Sequence, residues 1–251
     1  MMTKIMIKIV SRFTLNFILL IILTYFSLLT AWFASYSNYL FFPVIYQLED
    51  IHGYVLENAP KNTKEKDDFV FVSPGVHLKI FSDIMHSVNN NGEGLSDITY
   101  PVKGGSKRFL TDGELTHLQE VSGFLTTLKS FWKLMLVVGV ISVSVMGYFR
   151  VSPYYIKTSM SYFVIASLVF CLLVQKYGAV AVYSKIHDII LPDSYNWAFS
   201  YEESLLRLLL KTPDVLVDFS VLMFVMSVGI FIIYYRFIQL VANVVRNKSH
   251  L

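Results

Sequence analysis

Two histidines stand where their neighbours could put them to work. His117 lies in "TDGELTHLQEV" with Asp112, Glu114 and Glu120 around it, and His187 lies in "YSKIHDIILPDSYNWAF" beside Asp188. A histidine with an ordinary pKa near 6.5 can take and return a proton at neutral pH, and a nearby carboxylate can set its tautomer or raise its basicity. The same residue types also bind metals. Glu114-x-x-His117 puts a carboxylate and an imidazole on one helix face, as in the carboxylate sites of helical bundles. Those sites draw a second Glu-x-x-His and further carboxylates from other helices, so one match is weak support, and no metal or other cofactor is expected. His52, His77, His86 and His250 read as surface or hydrogen-bonded structural histidines. Cys171, the only cysteine, lies in the apolar run "VIASLVFCLLV" and reads as a small core hydrophobe that cannot form an internal disulfide.

The elements that must position these groups are membrane elements. Hydrophobic residues make up 55% of the 251 and charged ones 16%, and mean hydropathy is +0.54, which leaves too little polar surface to cover a globule. No Lys, Arg, Asp or Glu occurs between Arg12 and Glu49, Lys133 and Arg150, Lys157 and Lys176, or Asp218 and Arg236. Each gap fits a membrane helix of about 20 residues with snorkelling flanks. The first run is longer than a signal-peptide core and reads as a retained signal anchor.

Sorting the charges gives an orientation. All 18 acids fall in 49–120 and 188–218, whereas the N-terminus, the loop with Arg150 and Lys157, and the tail from Arg236 to Lys248 hold eight bases and no acid. Four spans with both termini in the cytoplasm satisfy that alternation, although Lys176, Lys185, Arg207 and Lys211 make the second outer loop more basic than usual. The net charge of +3 sums a basic inner and an acidic outer face, and gives no reason to expect nucleic acid.

The expected fold is an α-helical integral membrane protein with four transmembrane helices and a small, largely β extracytoplasmic cap. Residues 1–48 form the tail and first span, and 49–111 the cap. Residues 112–149 form a helix running into the second span, 150–157 an inner loop, and 158–183 the third span. Residues 184–213 form an outer loop with an amphipathic helix, 214–240 the fourth span, and 241–251 the inner tail. In the cap, alternation in "FVFVSPGVHLKIFSDI" suggests short strands around Ser73-Pro74-Gly75, with turns at "NNNGEGLSD" and "KGGSK". Thr111-x-x-Glu114 and Ser200-x-x-Glu203 read as capping boxes, the first opening a helix unbroken to Tyr148, the second opening "YEESLLRLLLK". Tyr195 and Trp197 suit headgroup depth.

"FLTDGELTHLQEV" ahead of a membrane run, followed some 70 residues later by "KIHDIILPDSYNWAFSYEESLLRLL", resembles the bacterial lipoprotein intramolecular transacylase family. The likeness covers most of the chain. Where the family usually has a basic residue before the glutamate and Asp-Val after the histidine, this chain has Gly113 and Glu120-Val121. The resemblance implies an enzyme that moves the sn-2 acyl chain of a diacylglyceryl lipoprotein onto the α-amine of its N-terminal cysteine. Its partners are that lipoprotein and membrane phospholipid. His117 and His187 take the catalytic roles, one as general base, the other polarising the ester carbonyl or orienting the amine. Glu114, Glu120 and Asp188 are candidates to support them by setting tautomer or basicity, beside the plainer reading of helix capping and solvated charge. Asn196 is a candidate oxyanion donor, and Tyr195 and Trp197 line the headgroup pocket. Arg207 faces lipid phosphate. Two other classes stay open: a metal-dependent membrane hydrolase using Glu114, His117 and His187, and a non-enzymatic partner in an envelope complex that docks through the cap.

Overall fold

A computed structural model describes residues 2–149, 151, 153, 156–190, 199–212 and 214–248. In chain order the helices and strands are α1 (Met2–Tyr36), α2 (Phe42–Leu48), α3 (Ile51–Asn58), α4 (Pro74–Asn89), β1 (Thr99–Val102) and β2 (Gly105–Arg108). Then follow α5 (Asp112–Ser130), α6 (Trp132–Tyr148), α7 (Ile156–Tyr177), α8 (Ala179–Ile190), α9 (Leu205–Leu209) and α10 (Asp214–Lys248). The chain divides into two compact units, one of 1–32, 130–184 and 223–251, the other of 33–129 and 185–222.

Among the described residues three helices are long and apolar enough to cross a membrane: Arg12–Tyr36, Asp112–Tyr148 and Asp214–Ala242. Within α7 the shorter apolar stretch is Leu168–Tyr177. The expected third span reaches residue 183, but Gly178 takes a left-handed φ of +85°, which ends α7 before α8 begins. The helix from Asp112 to Tyr148 is interrupted only at Phe131, whose carbonyl still accepts from the Met135 N–H.

The first unit is built from the apolar runs. Leu19, Leu23, Met146, Val151, Phe231 and Tyr235 form its buried cluster. Thr30 and Tyr234 share a hydroxyl hydrogen bond of 2.9 Å. A Cβ on Gly139 would meet Ile22 Cγ2 at 3.4 Å, so α1 and α6 pack closely there. Val140, Ile141, Leu168, Leu172, Val225, Ile233 and Phe237 stay exposed. Such an apolar surface is costly in water and costs nothing in lipid.

The second unit corrects the expectation of a largely β cap. "FVFVSPGVHLKIFSDI" forms a 3₁₀ turn at Asp67–Phe71 followed by α4, not strands. Ser73 is extended and Pro74 opens the helix, where its missing N–H is harmless. The buried residues His77, Ile80, Phe81, Ile84, Met85 and Val88 then follow the helical period. The one sheet among the described residues is the β1–β2 hairpin, whose turn at Lys103-Gly104 uses a Gly104 φ of +95°.

Aromatic rings hold this unit together. Phe42 stacks on Phe81 with ring centroids 3.8 Å apart. Phe69, wholly buried, meets His77 at 4.8 Å, Tyr100 at 5.2 Å and Phe109 at 5.6 Å. The Tyr100 hydroxyl donates to Asp68 at 2.8 Å, and Lys107 pairs with the same carboxylate at 2.6 Å. Phe69→Ala should therefore destabilise this unit by about 3–5 kcal/mol through cavity formation. Phe71→Ala, at an 88% exposed ring, should change it by at most about 0.5 kcal/mol. Hydrogen exchange of the α4 and β1 amides in the intact protein checks both.

Candidate functional site

The opening turn of α5 is built by its own sequence. Thr111 N–H donates to Glu114 Oε2 at 2.6 Å, and Glu114 N–H donates to Thr111 Oγ1 at 3.3 Å, so the reciprocal box forms. Glu114 is also fully buried. Its second oxygen, Oε1, accepts from Ser204 Oγ at 2.5 Å and from Leu206 N–H at 3.2 Å. Among the described residues no Lys or Arg lies within ion-pair distance of it, so three hydrogen bonds supply its compensation.

Those bonds explain where α9 starts. The expected cap at Ser200 gives way to Ser204, whose Oγ accepts from Arg207 N–H at 2.8 Å while donating to Glu114. Residues Tyr201–Glu203 form a turn. Leu205, Leu208 and Leu209, the apolar side of the expected amphipathic helix, are buried in protein. A side-chain acceptor from ninety residues upstream outweighs the local Ser-x-x-Glu pattern.

His117 lies one turn beyond Glu114, half-buried, with its ring edge-on to Phe199 at 6.5 Å. Gly113 touches the same ring, since a Cβ there would come within 3.1 Å of Phe199 Cε1. The Phe199 carbonyl accepts from Arg207 Nη1. The Arg207 guanidinium stacks over Tyr201 at 4.0 Å, and its Nε is buried with no hydrogen-bond partner among the described residues. Tyr201 in turn donates to the Thr212 carbonyl at 2.5 Å and meets Tyr54 edge-on at 6.0 Å. Burial, reinforced by Tyr201, pushes the Tyr54 hydroxyl up to about 12, so it stays protonated as a donor at neutral pH.

Glu120 stands three residues beyond His117 on the same helix face, half-buried, and its Oε2 is buried without a partner among the described residues. His187 and Asp188 are consecutive on α8, where Asp188 is exposed. The His187 side chain and the whole of Tyr195, Asn196 and Trp197 lie outside the described residues. Sequence reasoning missed Gly113, Phe199 and Tyr201 as packing partners and Ser204 as the link to Glu114. The Ser204-x-x-Arg207 spacing alone offered a helix start, but nothing local ranks it above Ser200.

For a metal, the described residues bring no three His, Cys, Asp or Glu side chains together, and both Glu114 oxygens already accept hydrogen bonds. A second Glu-x-x-His does occur at Glu49–His52. Glu49 follows α2, however, and Asp50 starts α3 from a left-handed φ of 44°, so helical register is broken between them. Glu49 is instead paired with Lys211 at 3.0 Å.

His77 is the most deeply buried histidine described, at 0% exposure, with Nδ1 sharing a 2.7 Å hydrogen bond with the Tyr46 hydroxyl. Its Nε2 and His52 Nδ1 are buried without partners among the described residues, and the two rings lie 6.0 Å apart. Burial, with a smaller contribution from His52, pulls His77 down to about 4.

Compared with family models, with curated proteins and with solved structures, the chain matches none.

Two predictions follow from these buried groups. Glu114→Ala strands three donors and should cost about 2–4 kcal/mol locally, seen as faster proteolysis and amide exchange across 199–212. For His77, the unfolded chain binds a proton between pH 6.5 and 4 that the folded unit refuses. Stability is then complete above about 6.5 and falls by roughly 3 kcal/mol as pH drops to about 4. Exchange of the α4 amides, corrected for intrinsic rate, should accelerate across that window, and His77→Gln should flatten the dependence.

Proposed function

We propose that this chain catalyses intramolecular acyl transfer on a diacylglyceryl-modified lipoprotein at the outer face of the bacterial cytoplasmic membrane. The observation that supports the reading is the meeting of the His117-bearing stretch with 199–207, the C-terminal part of the second resembling stretch. Residues 111–117 and 199–207 are tied by Glu114 to Ser204 and Leu206, and by Gly113 and His117 to Phe199. Those are the stretches on which the family resemblance rests. His187 lies on α8, in the segment leading into 199–207.

The topology that goes with this reading has four crossings, α7 being the third, and both termini in the cytoplasm. The charge distribution supports it.

The reaction needs a proton taken from one atom and given to another. An N-terminal α-amine has a pKa near 8 and is largely protonated at neutral pH. One histidine removes its proton, and the free nitrogen attacks the sn-2 ester carbonyl. The C–N bond forms, the attacking nitrogen gives up a second proton, the C–O bond breaks, and that second proton passes to the departing glycerol oxygen while the first is released to solvent. Ester-to-amide exchange runs downhill, so no nucleotide is consumed. Amine and ester already belong to one substrate, which leaves the protein to fold them together and keep water from the carbonyl. The buried contacts of Glu114 with α9 suit the second task, because they fix the helix turn that carries His117.

The test uses a model lipoprotein from cells lacking other N-acylating enzymes. Transfer conserves mass, so fragment ions of the N-terminal lipopeptide must locate the acyl chain. Expression of the chain should move it from glycerol to nitrogen, while His117→Ala and His187→Ala should each lower conversion by about 10²-fold or more. An unaltered diacylglyceryl form, with the protein present in the membrane, refutes the proposal.

A further inference from the structure

A cavity of about 270 Å³ in the second unit shares no residue with the Glu114–Arg207 cluster. It is lined by Phe33, Tyr36, His86, Asn89, Asn90 and Lys129. Its two amides are already engaged: Asn89 Nδ2 donates to the Met85 carbonyl at 2.9 Å, and Asn90 Nδ2 to Glu93 Oε2 at 2.9 Å. Lys129, half-buried, donates to the Asn89 carbonyl at 2.8 Å and has no carboxylate within ion-pair distance among the described residues. An ammonium has three donors, so two remain. The Tyr36 hydroxyl and His86 Nδ1 face each other at 3.5 Å, a weak mutual contact that leaves both free to serve a better partner. Lys129 is a cation with donors to spare, and the Tyr36 hydroxyl and His86 ring can each turn a donor toward a ligand, which suits an acceptor-rich anion, namely phosphate.

The place selects the source of that phosphate. Phe33 and Tyr36 form the last turn of the apolar helix Arg12–Tyr36, and Lys129 ends the polar part of Asp112–Tyr148. Both positions mark headgroup depth, where aromatic and basic residues gather. Phe33 and Leu128, next to the cavity and to Lys129, are exposed at 45% and 37%. Free phosphate has no use for apolar side chains there, whereas a lipid lays its acyl chains along them.

We infer that this cavity seats the phosphate of a membrane phospholipid, with Lys129 as its counter-ion and His86 and Tyr36 as hydrogen-bond donors. The inference stands apart from the acyl-transfer reading, because a structural or regulatory lipid would occupy the cavity whatever the protein does.

The full chain, purified in non-ionic detergent, would be titrated with phosphatidylglycerol and followed by native mass spectrometry. Parallel arms would use diacylglycerol of the same acyl chains and inorganic phosphate. The unmutated protein should retain a first phosphatidylglycerol that Lys129→Gln binds about tenfold more weakly and Lys129→Arg binds nearly as well. Diacylglycerol should not be retained, and millimolar inorganic phosphate should not displace the lipid. Should Lys129→Gln lose its helical circular dichroism, His86→Gln combined with Tyr36→Phe should still weaken binding several-fold. Equal retention by the folded variants, or equal binding of diacylglycerol, overturns the inference. Displacement by inorganic phosphate alone would assign the cavity to free phosphate and overturn it as a lipid site.

Discussion

The Glu114 carboxylate is the constraint on which the second unit depends. It is wholly buried, carries no ion partner among the described residues, and is satisfied only if donors from two distant stretches arrive together. One oxygen caps its own helix and the other caps α9 through Ser204 and Leu206. A buried carboxylate left unsatisfied costs several kcal/mol. Any arrangement that separates 111–117 from 199–207 carries that penalty, so this single group fixes which surfaces meet. The apolar side chains of α9 gain from the same closure, since Leu205, Leu208 and Leu209 leave solvent as Ser204 engages. Hydrophobic burial supplies the driving force, and the carboxylate supplies the register.

The aromatic core around Phe69 shows the same division of labour. Phe69, Tyr100 and Phe109 exclude water, and this turns His77 from a titratable surface group into a neutral internal one bonded to Tyr46. Burial also pushes the Tyr46 hydroxyl up to about 12, with Asp50 adding to the effect, so both partners are uncharged at neutral pH. Lys66 shows the competition in smaller form. Burial pulls its ammonium down while the charge of Glu114 pushes it back up, and its Nζ settles on the Phe109 carbonyl at 2.7 Å. Glu114, His77 and Lys66 each lean on named contacts, which makes the unit sensitive to single changes at those positions.

The sequence revealed the elements whose signals are local and strong. Charge-free gaps mark the long apolar helices because an unpaired charge in lipid is prohibitive, and the Thr111–Glu114 box forms because its two partners are three residues apart. The turn at "KGGSK" follows from the freedom of Gly104. What stayed hidden depended on distant partners. Four alternating residues in "FVFV" mimic a strand at little cost, and only the Pro74 start and the 77, 80, 81, 84, 85, 88 spacing reveal α4. Ser200 and Ser204 each open a plausible cap, and the choice rests with Glu114. His77 carries no local mark of burial, because the rings that enclose it come from Tyr46, His52 and Phe69. The candidate site was legible as two stretches of chemistry-bearing residues, and illegible as a geometry.

Gly113 has a physical reason in this packing. Gly113 leaves room for the Phe199 ring at a distance that a Cβ would already crowd. A Cβ at 113 would meet Phe199 Cε1 at 3.1 Å, closer than such contacts normally run. The cation that does stand here comes from the other stretch: Arg207 donates to the Phe199 carbonyl and lies over Tyr201. Gly113, Phe199 and Arg207 therefore form one packing arrangement. Placing a basic residue at 113 alone would set two cations and one ring in competition for the space beside His117. Even the first carbon of a side chain at 113 obliges the Phe199 ring to give by a few tenths of an ångström.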